Sequence, residues 1–78
     1  MSVNLQERVN LGMQLRINRV RKGYTVKELS RKSGVSTSAI IYCENQKGSD
    51  MRLDAIIRLA YALNIPLEEL IVERRIII

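Results

Sequence analysis

The sequence predicts an all-α domain of five helices, and three observations predict it. Apolar residues recur at helical spacing in separate segments, the segments are bounded by recognisable caps and glycine stops, and no internal segment reads as a strand. At 78 residues the chain makes a single domain over 1–78, with a core over about 7–72 and a tail at 73–78.

The first helix is predicted from about Glu7 to Lys22, with Leu11 and Leu15 on one face and Gly23 as a left-handed stop. The second opens on a T-x-x-E capping box at Thr25 and Glu28, with Tyr24 placed to pack on Leu29. Gly34 ends it after Ser33. A third helix restarts at once, capped by Ser36, with Val35 packing on Ile40. Two helices of about nine residues with three between them must cross steeply, as in a helix-turn-helix.

The polar turn Gln46-Lys47-Gly48-Ser49-Asp50 follows. Ser49 or Asp50 is expected to cap a fourth helix, Arg52 to Leu63. Its Leu53, Ile56, Ile57, Leu59, Ala60 and Leu63 form the densest apolar face in the chain. Asn64 ends it. Pro66 opens a short fifth helix, with Glu68 and Glu69 near its positive end.

Composition narrows the function. The core must be aliphatic, because there is no Phe or Trp and only three Tyr. The net charge of +5 is uneven: residues 1–52 hold ten Lys/Arg against four Asp/Glu, and residues 53–78 hold three against four. A polyanion facing the first three helices explains that concentration, with nucleic acid the first choice and an anionic membrane a distant second. Cys43 is the only cysteine and histidine is absent, which excludes an internal disulfide and a Cys/His zinc cluster. No metal or cofactor is expected. With neither signal peptide nor membrane span, the cytoplasm is the expected location. An enzyme is not expected either, for no nucleophile–base pair is visible. Glu68 and Glu69 are adjacent and diverge by about 100° on a helix.

The third helix has two sides. Ala39, Ile40 and Cys43 share one and form a wedge against the second helix; Thr37, Ser38, Ile41, Tyr42 and Asn45 share the other and face out. The hydroxyls can donate to or accept from base edges, and Ile41 can touch a thymine methyl. Such a face also fits an ordinary capped surface helix, but an exposed Ile41 beside Tyr42 is an unusual choice for one. Phosphate contacts are expected from the first amides of the second helix, around Thr25, Val26 and Lys27. Lys27 and Lys47 add charge there, and Asn45 and Gln46 add hydrogen bonds.

These residues resemble the phage-repressor family of helix-turn-helix transcriptional regulators, the Cro/C1 or XRE type. The resemblance covers Leu11 to Ile71. It is carried by L-G at 11–12, Arg19, T-x-x-E-L-S-x-x-S-G-V-S-x-x-x-I at 25–40, Glu44 and L-x-x-I-I-x-L-A-x-A-L-N-I-P-L-E-E-L at 53–70. It implies a lambda-repressor-like five-helix bundle with the helix-turn-helix at helices 2 and 3. It also implies base reading by Thr37, Ser38 and Tyr42, and a structural pair of Arg19 with Glu44 that leaves the guanidinium near a phosphate. Val26, Ser30, Cys43, Gln46, Ser49, Asp50 and Met51 depart from the pattern, and Cys43 reads as a buried inert thiol.

The expected protein is a sequence-specific DNA-binding regulator, a repressor in the simplest case, binding double-stranded DNA as a homodimer. Leu67, Ile71, Val72, Ile76, Ile77 and Ile78 exceed what so small a core absorbs, and are assigned to the dimer interface; a disordered tail is the plainer alternative. Activation through an RNA polymerase contact stays open. The rival is a protein-interaction module, an antitoxin or adaptor built on the same bundle.

Overall fold

The computed structural model describes residues 11–45 and 51–71. Among these the architecture is all-helical, with four α-helices and no strand: α1 (Leu11–Arg21), α2 (Val26–Ser33), α3 (Thr37–Asn45) and α4 (Leu53–Leu63). The expected fifth helix is a single 3-10 turn, Leu67–Glu69. Pro66 precedes that turn in extended conformation, and Leu70 follows it fully buried. Half-buried Leu67 and buried Leu70 are three residues apart, a spacing that one 3-10 turn already brings onto the core.

The helix boundaries follow local chemistry. Gly23 and Gly34 take positive φ, 77° and 78°, and close α1 and α2. Asn64 closes α4 in the left-handed region at φ 59°, and the next amide, of Ile65, bonds back to the Ala60 carbonyl. At its other end α4 begins at Leu53. The N-cap residue is Arg52, without a side-chain cap bond, while Ser49 and Asp50 lie outside the described residues. Asp54 in the first turn supplies the negative charge favoured there.

Leu15, Leu29, Ile40, Cys43, Leu59, Leu63 and Leu70 are fully buried and join all four helices and the 3-10 turn around one aliphatic core. The predicted face of α4 needs correction. Ile56, Leu59, Ala60 and Leu63 are buried, whereas Leu53 and Ile57 are 59% and 48% exposed. They continue into Tyr61, one turn further on and 86% exposed, as an outward apolar stripe. α1 is apolar on both sides: Leu11 and Leu15 point inward, and Met13, Ile17 and Val20 point out. No helix among the described residues is long and apolar enough to cross a membrane.

Candidate nucleic-acid interface

The geometry of α3 is set from three directions. From α2, the capping box closes as expected: the Glu28 amide donates to Thr25 Oγ1 at 3.0 Å and the Thr25 amide to Glu28 Oε1 at 2.9 Å. The chain then turns through Gly34, whose amide donates to the Ser30 carbonyl at 2.8 Å. Within the turn the Val35 amide donates to Ser33 Oγ at 3.1 Å, and the Ala39 amide donates to Ser36 Oγ at 3.1 Å. Ser36 is thus the cap of α3. Val35 and Ile40 are both buried on either side of it.

From α1, Gly12 lies directly beneath the backbone of α3. A Cβ at position 12 would overlap the Cys43 carbonyl oxygen, so only glycine permits this approach.

The third constraint is Arg19. Its Nε donates to Glu44 Oε2 at 2.8 Å, one terminal nitrogen donates to Glu44 Oε1 at 3.0 Å, and the other to the Tyr24 carbonyl at 2.9 Å. One side chain thereby ties α1 to the last turn of α3 and to the loop leading into α2. The pair is largely enclosed, with 14% of the Arg19 and 6% of the Glu44 side chain exposed. Hydrogen bonding to Glu44 raises the Arg19 pKa above the ordinary guanidinium value; burial opposes this, and the charge of Glu44 adds to it.

With α3 so held, Ile40 and Cys43 are buried and Ala39 is half-buried, while Thr37, Ser38, Ile41, Tyr42 and Asn45 are all exposed. The five outward residues form two rows at i, i+4 spacing: Thr37, Ile41 and Asn45 in one, Ser38 and Tyr42 in the next. The segment Gln46–Lys47 lies outside the described residues.

Two expected phosphate contacts change in character. The Thr25 amide is engaged by Glu28, so it is not available to an anion. Val26 and Lys27 follow it, and their first-turn amides have no intrahelical acceptor. Arg19 is committed to Glu44 and Tyr24, which makes it a positioning residue first. Around α2 the exposed cations are Lys27, Arg31 and Lys32, the last set over the Tyr24 ring at 5.3 Å from its centroid.

Three features escaped the sequence reading. The spacing of Met13, Ile17 and Val20 marks a second apolar side of α1 but does not say that it stays exposed. The closeness of Gly12 to α3 is a tertiary fact, although the L-G pair at 11–12 carried a hint of it. The Tyr24 carbonyl as a third arm of the Arg19 clamp has no side-chain signature.

The site is thus a pair of short helices, α2 capped by Thr25 and α3 by Ser36, with the outward side of α3 exposed. Residues 15–70 match the family model HTH_3, helix-turn-helix; the chain belongs to that family of Cro/C1 (XRE) type DNA-binding regulators.

The fold is similar to that of the restriction-modification controller protein C.AhdI from Aeromonas hydrophila. The TM-score is 0.74 at 33% identity, over 82% of this chain and 96% of that one. The hypothetical transcription factor NHTF from Neisseria is similar at a TM-score of 0.76 and 26% identity, over 94% of this chain and 86% of that one. SinR, a master regulator for biofilm formation solved in complex with DNA, shares the fold at a TM-score of 0.72 and 23% identity, over 77% and 95%. No curated protein sequence matches the chain.

Proposed function

We propose that the protein is a sequence-specific transcription regulator that binds a two-fold operator as a homodimer and represses by covering a promoter. In this reading α2 and α3 are the helix-turn-helix, and α3 lies in the major groove. The observation that carries it is the division of α3: a buried side locked to α1 and α2, and an outward side of Thr37, Ser38, Ile41, Tyr42 and Asn45. Family membership and the likeness to C.AhdI, itself a controller protein, support it.

Thr37, Ser38, Ile41 and Tyr42 read bases. The amides of Val26 and Lys27, the Lys27 ammonium, Asn45, Gln46 and Lys47 meet phosphates. Arg19 and Glu44 hold the reading helix in register with that phosphate edge.

A single module of this size makes too few contacts for strong operator selection, so two copies pair with half-sites roughly 34 Å apart. The stripe of Leu53, Ile57 and Tyr61, with Ile71 42% exposed and Leu67 half-buried, supplies an apolar surface for the pairing. Val72 and Ile76–Ile78, also assigned to it, lie outside the described residues.

The test is selection from random duplexes. The reading expects enrichment of a two-fold site, and loss of its preference when Thr37, Ser38 and Tyr42 are all replaced by Ala. One observation favours a second reading, that of an adaptor or antitoxin: Met13, Ile17 and Val20 on α1 are an exposed apolar row with no assigned role in DNA binding. That reading expects no enriched duplex.

A further inference from the structure

We infer that α3 selects DNA by the C5-methyl groups of pyrimidines, with Ile41 as the methyl-contacting residue, so that 5-methylcytosine stands in for thymine where plain cytosine does not. The inference rests on the reading of α3 as the helix that enters the major groove.

The outward face of α3 offers unusual chemistry to a base edge. Its five residues include no guanidinium, ammonium or carboxylate. Three of them, Thr37, Ser38 and Tyr42, end in hydroxyls. A hydroxyl both donates and accepts, so it bonds the O4 acceptor of thymine as readily as the N4 donor of cytosine. These residues can orient the helix over a pyrimidine without telling keto from amino. Asn45, the one amide, lies a full turn beyond Ile41, at the end of α3.

The hydroxyls fix where the helix sits on the duplex, and discrimination between pyrimidines is left to the apolar groups. Ile41 and Tyr42 are large, adjacent and 46% and 60% exposed. Ile41 stands one turn beyond Thr37 on the exposed helix surface, beside the row of Ser38 and Tyr42. The C5-methyl is the apolar feature that a base pair presents in the major groove. Covering it with Ile41 removes both surfaces from water, an effect worth about fourfold in affinity per methyl. In a dimer the factor applies at each half-site and multiplies.

The experiment uses the full chain and a duplex enriched from a random pool. At each thymine position four versions are compared by binding titration: T·A, U·A, 5-methylcytosine·G and C·G pairs. The expected result, at one or more positions, is that each methylated pair binds about fourfold tighter than its unmethylated counterpart. Changing keto to amino should have a smaller effect. Ile41→Ala should bring the methyl effect close to unity and Ile41→Val should keep part of it, with circular dichroism verifying the helical content of both.

Equal affinity for T and U at every position overturns the inference, as does a methyl effect that persists undiminished in folded Ile41→Ala. Failure to enrich any duplex is a different result. It rejects the DNA-binding reading itself, and this inference with it.

Discussion

Gly12 and Cys43 meet at their backbones: the space a side chain at position 12 would occupy is filled by the Cys43 carbonyl oxygen. α1 therefore sits closer to α3 than any residue with a Cβ allows. Replacing Gly12 by Ala forces the two helices apart at the point where α3 is anchored. The expected cost is about 1–3 kcal/mol in urea unfolding, accompanied by weaker DNA binding because the reading face shifts. An unchanged unfolding midpoint would show that α1 and α3 are not so closely packed.

The Arg19 clamp predicts a second, larger loss. Arg19→Ala leaves the Glu44 carboxylate enclosed without its cation, which costs about 3 kcal/mol. Glu44→Gln keeps a hydrogen-bond acceptor and should cost less than Glu44→Ala. The sign of the pH effect follows from the raised Arg19 pKa: the guanidinium's contribution is fully present below its ordinary range and is lost only as pH climbs through the higher folded value. Stability measured between neutral and mildly alkaline pH should show no loss traceable to this pair.

Capping and the proposed phosphate contact are separable at the start of α2. Thr25→Ala removes the cap hydroxyl that accepts from Glu28, at an expected cost of about 1 kcal/mol in stability. Lys27→Ala leaves the box intact. It should reduce the salt dependence of DNA binding by about one counterion per half-site while stability stays near the parent value. Equal salt slopes for Lys27→Ala and the parent protein would remove Lys27 from the phosphate edge.

The outward stripe of α4 predicts the oligomeric state. Leu53→Glu with Ile57→Glu places charge on residues that are already half-exposed, so the helical content should survive. Sedimentation should shift from dimer to monomer, and deletion of Ile76–Ile78 should weaken the dimer in the same assay. A dimer that withstands both changes would reject this face as the interface.

Much of the candidate site is written locally. The T-x-x-E box, Gly23, Gly34, Asn64 and the Ser36 cap are short-range devices, each satisfied within a few residues, so their residue types suffice to place them. The two sides of α3 follow from helical period alone. What was not legible depends on partners distant in sequence. Periodicity grouped Leu53 and Ile57 with the core residues of α4, because a wide apolar stripe does not say which edge the rest of the fold covers. The 3-10 turn replaced a helix because Leu67 and Leu70 needed only one turn to dock. The engaged amide of Thr25 was implicit in its own capping box, which uses the N–H that an anion would need.

In the proposed reading the exposed side of α3 meets a nucleic-acid duplex. Titrating the enriched duplex at about 50 mM and about 200 mM salt tests it most directly. Log affinity should fall steeply and linearly with log salt, with a slope of several counterions per dimer. Weak binding that ignores salt would contradict it, and would move the outward face of α3 from DNA to a protein partner.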